Sequence, residues 1–137
     1  MIRPVRYRDL AAINSIHRVS HSMTGDWTSA GLQQAWLSRH GTILSAVLPA
    51  RAVHTYVSEE GGQIYGFIQI RPRSTRDKWD IIRLVATVDK PVDVWTRLVE
   101  FACVAAGNRG ASKLFANVAE DADELEIFRQ IGFYRFA

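Results

Sequence analysis

The apolar residues of this chain switch repeatedly between a helical and an alternating period along its 137 positions, and that switching constrains the fold more than any other feature. Leu10, Ile13 and Ile16 recur at helical spacing, and Asp9 stands ahead of them where a carboxylate can cap open amides of a helix running to about Ser20. From Val53 the period becomes two: Val53, Thr55 and Val57 alternate as on a half-buried strand. Glu59-Glu60-Gly61-Gly62 supplies a hairpin turn tolerant of positive φ, and Gln63 to Arg71 is the returning strand. Pro72 and Ser74 mark another turn, and Trp79 to Val88 a third strand. At Pro91 the helical period resumes. Pro91 suits a first helical turn, where its missing N–H would be unpaired anyway. Val94, Leu98, Phe101, Ala102 and Ala105 share one face, and Gly107 and Gly110 stop the helix. Leu114 to Val118 alternates as a strand. Asp121 and Glu124 form a capping box for a helix burying Leu125, Phe128 and Ile131, with Gly132 at its C-cap. Ile2 to Arg6, a second helix capped by Thr28 or Ser29, and a strand opening at Phe133 to Phe136 complete the order.

That order is β-α-α-β-β-β-α-β-α-β. It predicts an α/β (α+β) domain over residues 1–137, with a mixed, mostly antiparallel sheet flanked by helices. At 47% hydrophobic residues the chain has material for a real core, and it should bury roughly two thirds of its extended surface. Its one cysteine, Cys103, cannot close an internal disulfide, which suits a reducing compartment, and no leader-like segment follows Met1. The expected location is the cytoplasm. No apolar run approaches a membrane span. A net charge of +3, without a basic face, argues against nucleic acid as a partner.

The segment Phe128-Arg-Gln-Ile-Gly-Phe133, the opening Ile2-Arg3-Pro4 with Asp9-Leu10-Ala11-Ala12-Ile13, and the element order together resemble the GNAT superfamily of acyl-CoA-dependent N-acyltransferases. The resemblance implies a mixed sheet whose fourth and fifth strands part to admit the pantetheine arm of acetyl-CoA or another acyl-CoA. It implies an amine as acceptor. It points to Val85, Ala86, Thr87, Val88 and Lys90 as the cofactor-binding stretch. It also places Asp80, four residues before Leu84, where some members carry a general base.

Two departures mark this chain as a degenerate member. The family presents a glycine-rich turn to the CoA pyrophosphate, because glycines let backbone amides approach an anion at a helix N-terminus. Here the stretch Val88-Asp89-Lys90-Pro91-Val92-Asp93-Val94-Trp95 has no glycine, Pro91 removes a donor, and Asp89 and Asp93 bring carboxylates. Many members also place a tyrosine four residues before the glycine of the last helix, to protonate the departing thiolate. Phe128 stands there instead and has no proton to give. The resembled fold ends with a strand this chain lacks, so the domain is expected to be incomplete at its C-terminus. The Leu114–Val118 edge would then need another chain or domain to cover it.

Other candidates carry two readings each. His17 and His21 have helical i, i+4 spacing, as a metal site needs, but no further ligands lie on adjoining elements, so no metal is expected. Cys103 reads as a small buried hydrophobe rather than a nucleophile. Arg71, Arg73, Arg76 and Lys78 fit either an oxyanion site or a solvated turn. Trp95, beside the glycine-free loop, could close the cleft. The expected function is a catalytically weak or silent GNAT-like domain serving as a binding or assembly module, or as half of a tandem acyltransferase. The alternative is an active N-acyltransferase moving an acyl group from CoA to an amine.

Overall fold

The computed structural model describes residues 1–19, 53–75, 77–87, 91–118 and 124–134. Five strands form one sheet in the order β1-β2-β3-β4-β5. They are β1 (Ile2–Pro4), β2 (His54–Glu60), β3 (Gln63–Pro72), β4 (Lys78–Ala86) and β5 (Lys113–Ala116). β1 to β4 pair with one another antiparallel in succession, and β5 runs parallel to β4. Among the described residues the helices are α1 (Leu10–Val19), α2 (Pro91–Asn108) and α3 (Glu124–Ile131), with a 3-10 turn at Tyr7–Asp9 ahead of α1. The meander follows from its turns. Gly61 and Gly62, at φ 58° and 81°, close the β2–β3 hairpin in a conformation that a side chain would resist.

Two cores lie on opposite faces of the sheet. On one face Ile68, Ile70, Trp79, Ile81, Leu84 and Ala86 pack with Val94, Leu98, Val99, Ala102 and Ala106 of α2 and with Ile127 and Phe128 of α3. On the other, Val57, Phe67 and Val85 meet Val5, Ile13 and Ile16. The alternation along β3 and β4 forces this split, since successive side chains leave a strand on opposite faces.

Several boundaries move. Asp9 belongs to the 3-10 turn rather than capping α1, and its carboxylate accepts the Arg6 N–H at 2.7 Å. Gly107 lies inside α2 and Gly110, at φ 97°, follows its end. Phe133 and Tyr134 are not strand; Phe133 folds back so that its N–H reaches the Phe128 carbonyl at 2.9 Å. The remainder of that expected strand, the helix capped by Thr28 or Ser29, and Asp121 fall outside the described residues. Among the described residues no helix is long and apolar enough to cross a membrane.

Candidate functional site

β4 divides into two halves. Its ladder with β3 pairs Gln69 with Arg83 and Ile70 with Ile81, leaving Ile82 as an extra residue, a β-bulge. Its ladder with β5 pairs Lys78 to Ile81 with Lys113 to Ala116 and stops there, although β4 runs on to Ala86. The bulge and the end of the β5 ladder therefore coincide. β5 itself ends at Ala116, so the C-terminal half of β4 has β3 as its one ladder partner among the described residues and leads towards α2.

The first half of β4 is clamped. Asp80 accepts from Arg73 Nε at 2.8 Å and Arg73 Nη2 at 2.7 Å, a two-point fork, and the same guanidinium lies 4.1 Å above the Phe115 ring. One face of this half carries Trp79, which stacks on His54 with ring centroids 5.5 Å apart. Burial, with Arg109 adding repulsion, lowers the His54 pKa to about 4, so this imidazole is neutral at pH 7.

In the second half, Val85 and Ala86 are both buried, one towards α1 and the other towards α2. The Thr87 N–H donates to the Tyr65 carbonyl at 2.8 Å, which ties the end of β4 to β3. The Thr87 hydroxyl oxygen is buried and has no hydrogen-bond partner among the described residues. Val88 and Lys90 fall outside the described residues. On the first turn of α2, Asp93 is exposed, while Trp95 is 8% exposed and belongs to the core, its buried indole N–H without a partner among the described residues.

Between the start of α1, the β2–β3 hairpin and Thr87 lies a cavity of about 770 Å³, whose polar lining includes Arg3, Arg8, Asp9, Ser15, Gln63 and Thr87. Its wall is a charge network that the sequence alone does not bring together. Arg3 donates to Asp9 at 2.7 and 2.9 Å and also binds Glu59. Burial works to raise the Asp9 pKa, but the Arg3 fork and the Arg6 amide outweigh it and hold the carboxyl low. Nearer the bulge, a polar row crosses the α1 face from Thr55 through Gln69 to Arg83. Gln69 is fully buried and donates to Thr55 Oγ1 at 3.1 Å, and its own side-chain carbonyl oxygen has no partner among the described residues. Burial lowers the Arg83 pKa.

The other candidates resolve as follows. Phe128 is 3% exposed and packs edge-on against Phe133 at 5.0 Å, inside the core. Tyr134 is 83% exposed. Cys103 is half-buried, and burial together with Glu100 raises its pKa, which disfavours the thiolate. Arg71 points to solvent, whereas Arg73 serves Asp80, so these arginines do not act as one cluster; Arg76 falls outside the described residues. The same holds for His21 and the His17 side chain, and no cluster of three or more potential metal ligands occurs among the described residues. Among the described residues β5 is the last strand of the sheet. The bulge at Ile82 and the Arg3–Asp9–Glu59 network were missed by sequence reasoning, because both depend on cross-strand register.

No family model matches the chain, and no curated protein matches it in sequence. Solved structures do match its shape. A protein of the GNAT acetyltransferase family from Desulfovibrio desulfuricans superposes with a TM-score of 0.74 at 15% identity, over 100% of this chain and 86% of that one. The ribosomal-protein-alanine N-acetyltransferase from Brucella melitensis gives 0.73 at 21% identity, again over 100% and 86%. Rv2747 from Mycobacterium tuberculosis, solved in complex with CoA, gives 0.72 at 15% identity over 100% and 73%. With its bulged fourth strand and a fifth strand paired to the first half of the fourth, the chain has the fold of the GNAT-family acetyltransferases.

Proposed function

We propose that this chain is a GNAT-fold domain of weak or silent catalysis that acts as a binding or assembly module, or as one half of a tandem acyltransferase. The observation that carries the reading is the state of the two expected catalytic groups. Phe128, at the position of the family's proton donor, is a core aromatic without an ionisable proton. Asp80, the expected base, has both carboxylate oxygens engaged by Arg73. A substrate amine would have to displace Arg73 before it could reach either oxygen. The glycine-free approach to α2 supports the same conclusion from the cofactor side. On this reading a second chain or domain covers the β5 edge, where Lys113 is the one charged residue of the strand.

The second reading is an active N-acyltransferase, favoured by the bulge at Ile82 and by the β5 ladder that ends beside it. The cofactor would lie along Val85, Ala86 and Thr87 and reach Val88 and Lys90. An amine acceptor would attack the thioester directly, with Asp80 released from Arg73 as base and β4 amides on the carbonyl oxygen. Two of the similar structures are named for amine acetylation, of an aminoglycoside and of a ribosomal-protein alanine.

Titration calorimetry with acetyl-CoA tests the choice. The weak or silent reading expects a Kd above roughly 1 mM and, by linkage, no thermal shift at ligand concentrations below that value. Micromolar binding with measurable acetyl transfer to a panel of amines would establish the second reading instead.

A further inference from the structure

The glycines of this chain are not alike. Gly61, Gly62, Gly110 and Gly132 take positive φ, and a β-carbon at any of them would meet nothing within 4 Å. Gly66 is different: its φ lies outside the left-handed region, so backbone conformation does not require glycine there. Space does. A β-carbon at Gly66 would stand 2.6 Å from the Val85 carbonyl oxygen, 2.7 Å from Val94 Cγ1 and 3.2 Å from the Ala86 Cα. The first and third of these atoms are backbone and cannot swing aside, and Val94 is β-branched and stiff at χ1.

These neighbours belong to the two sides of the connection between β4 and α2. Gly66 is the register partner of Ala86, and the next contact outward is the hydrogen bond from Thr87 N–H to Tyr65 carbonyl. Val94 lies on the first turn of α2, with 7% exposure. The end of β4 and the start of α2 thus close on β3 at one point, and the missing side chain of Gly66 sets how near they come.

We propose that Gly66 is the positioning residue that seats the N-terminal turn of α2 against the end of β4, and so sets the geometry of the proposed acyl-CoA cleft. The cleft itself rests on the second, acyltransferase reading above; the seating does not. Any side chain at position 66 must push α2 outward or β4 sideways, and both displacements alter the place where the helix N-terminus and the strand end converge.

The full chain carrying Gly66→Ala is compared with wild type and with Val57→Ala, a fully buried residue in the opposite core that serves as a stability control. Val94→Ile crowds the same contact from the helix side and keeps the test alive should Gly66→Ala fail to fold. By hydrogen exchange, Gly66→Ala or Val94→Ile should speed exchange across residues 84–87 and 92–96 by about tenfold, the scale of a crowded contact, while Val57→Ala should not single out those segments. Adding Val94→Ala to Gly66→Ala should restore part of the protection. Equal exchange in wild type and the crowded variants, or the same local pattern in Val57→Ala, overturns the proposal. Should wild type bind acetyl-CoA, Gly66→Ala should weaken that binding by about tenfold and Val57→Ala by less than about twofold. Wild type that binds no acetyl-CoA defeats the cofactor reading alone, because the exchange experiment still decides the seating.

Discussion

The two halves of β4 share one strand but are held in different ways. Lys78 to Ile81 lie between β3 and β5, with Asp80 forked by Arg73 and Trp79 covered by His54. Leu84 to Ala86 pair with β3 on one side only within the ladders, and rely on core packing and on the close seat of α2 at Gly66. The bulge at Ile82 separates them. A strand bound on both sides can afford polar clamps at its surface, whereas one released on one side depends on side chains packed above and below it. The second half is therefore where a ligand could lie, and also where a packing defect should do most damage.

The largest effect expected is that of Leu84→Ala. Leu84 is fully buried in the second half, and removing its side chain should cost about 2–5 kcal/mol in urea unfolding. A loss below about 1 kcal/mol would break the idea that this half depends on packing. A smaller effect should come from acid. The His54 pKa is lowered to about 4 in the folded chain, against an ordinary value near 6.5. Between those values the unfolded chain binds more protons, so stability should fall as pH drops from about 6.5 towards 4. His54 is partly open to solvent, so the loss should be nearer 1 kcal/mol than the full shift would imply. His54→Phe should flatten that part of the curve measured by denaturant unfolding; an unchanged slope would remove His54 from the clamp. The smallest effect expected is that of Asp80→Asn. Its fork with Arg73 is partly exposed, so stability should drop by at most about 1 kcal/mol. If acyl transfer is detectable, the rate should stay within about threefold of wild type, and a hundredfold loss with stability retained would return Asp80 to the role of base.

Much of the architecture was legible beforehand because periodicity is a local signal. The helix from Pro91, the β2–β3 turn and the loss of a hydroxyl at Phe128 could each be read from neighbouring residues, and each stands in the fold. The expected reach of β4 to Val88 was too long by the measure of the described strand, which ends at Ala86. A run of apolar residues does not say where pairing stops. Asp80 was legible as a carboxylate on a strand but not as half of an ion pair, since its partner is chosen by the β3–β4 hairpin. Gly66, a lone glycine within a strand, was the one local hint of a close backbone approach. Its meaning needed the position of α2.

The sequence by itself determined the succession of elements from Val53 to Gly132 and the absence of a tyrosine four residues before Gly132. Both follow from residue type and spacing along the chain. Tertiary structure alone decided the bulge at Ile82, the end of the β5 ladder at Ala116, the Arg3–Asp9–Glu59 network and the seat of Val94 over Gly66. Each of these joins residues distant in the chain through register or helix placement, and register is settled by the whole packed sheet rather than by any one of its strands.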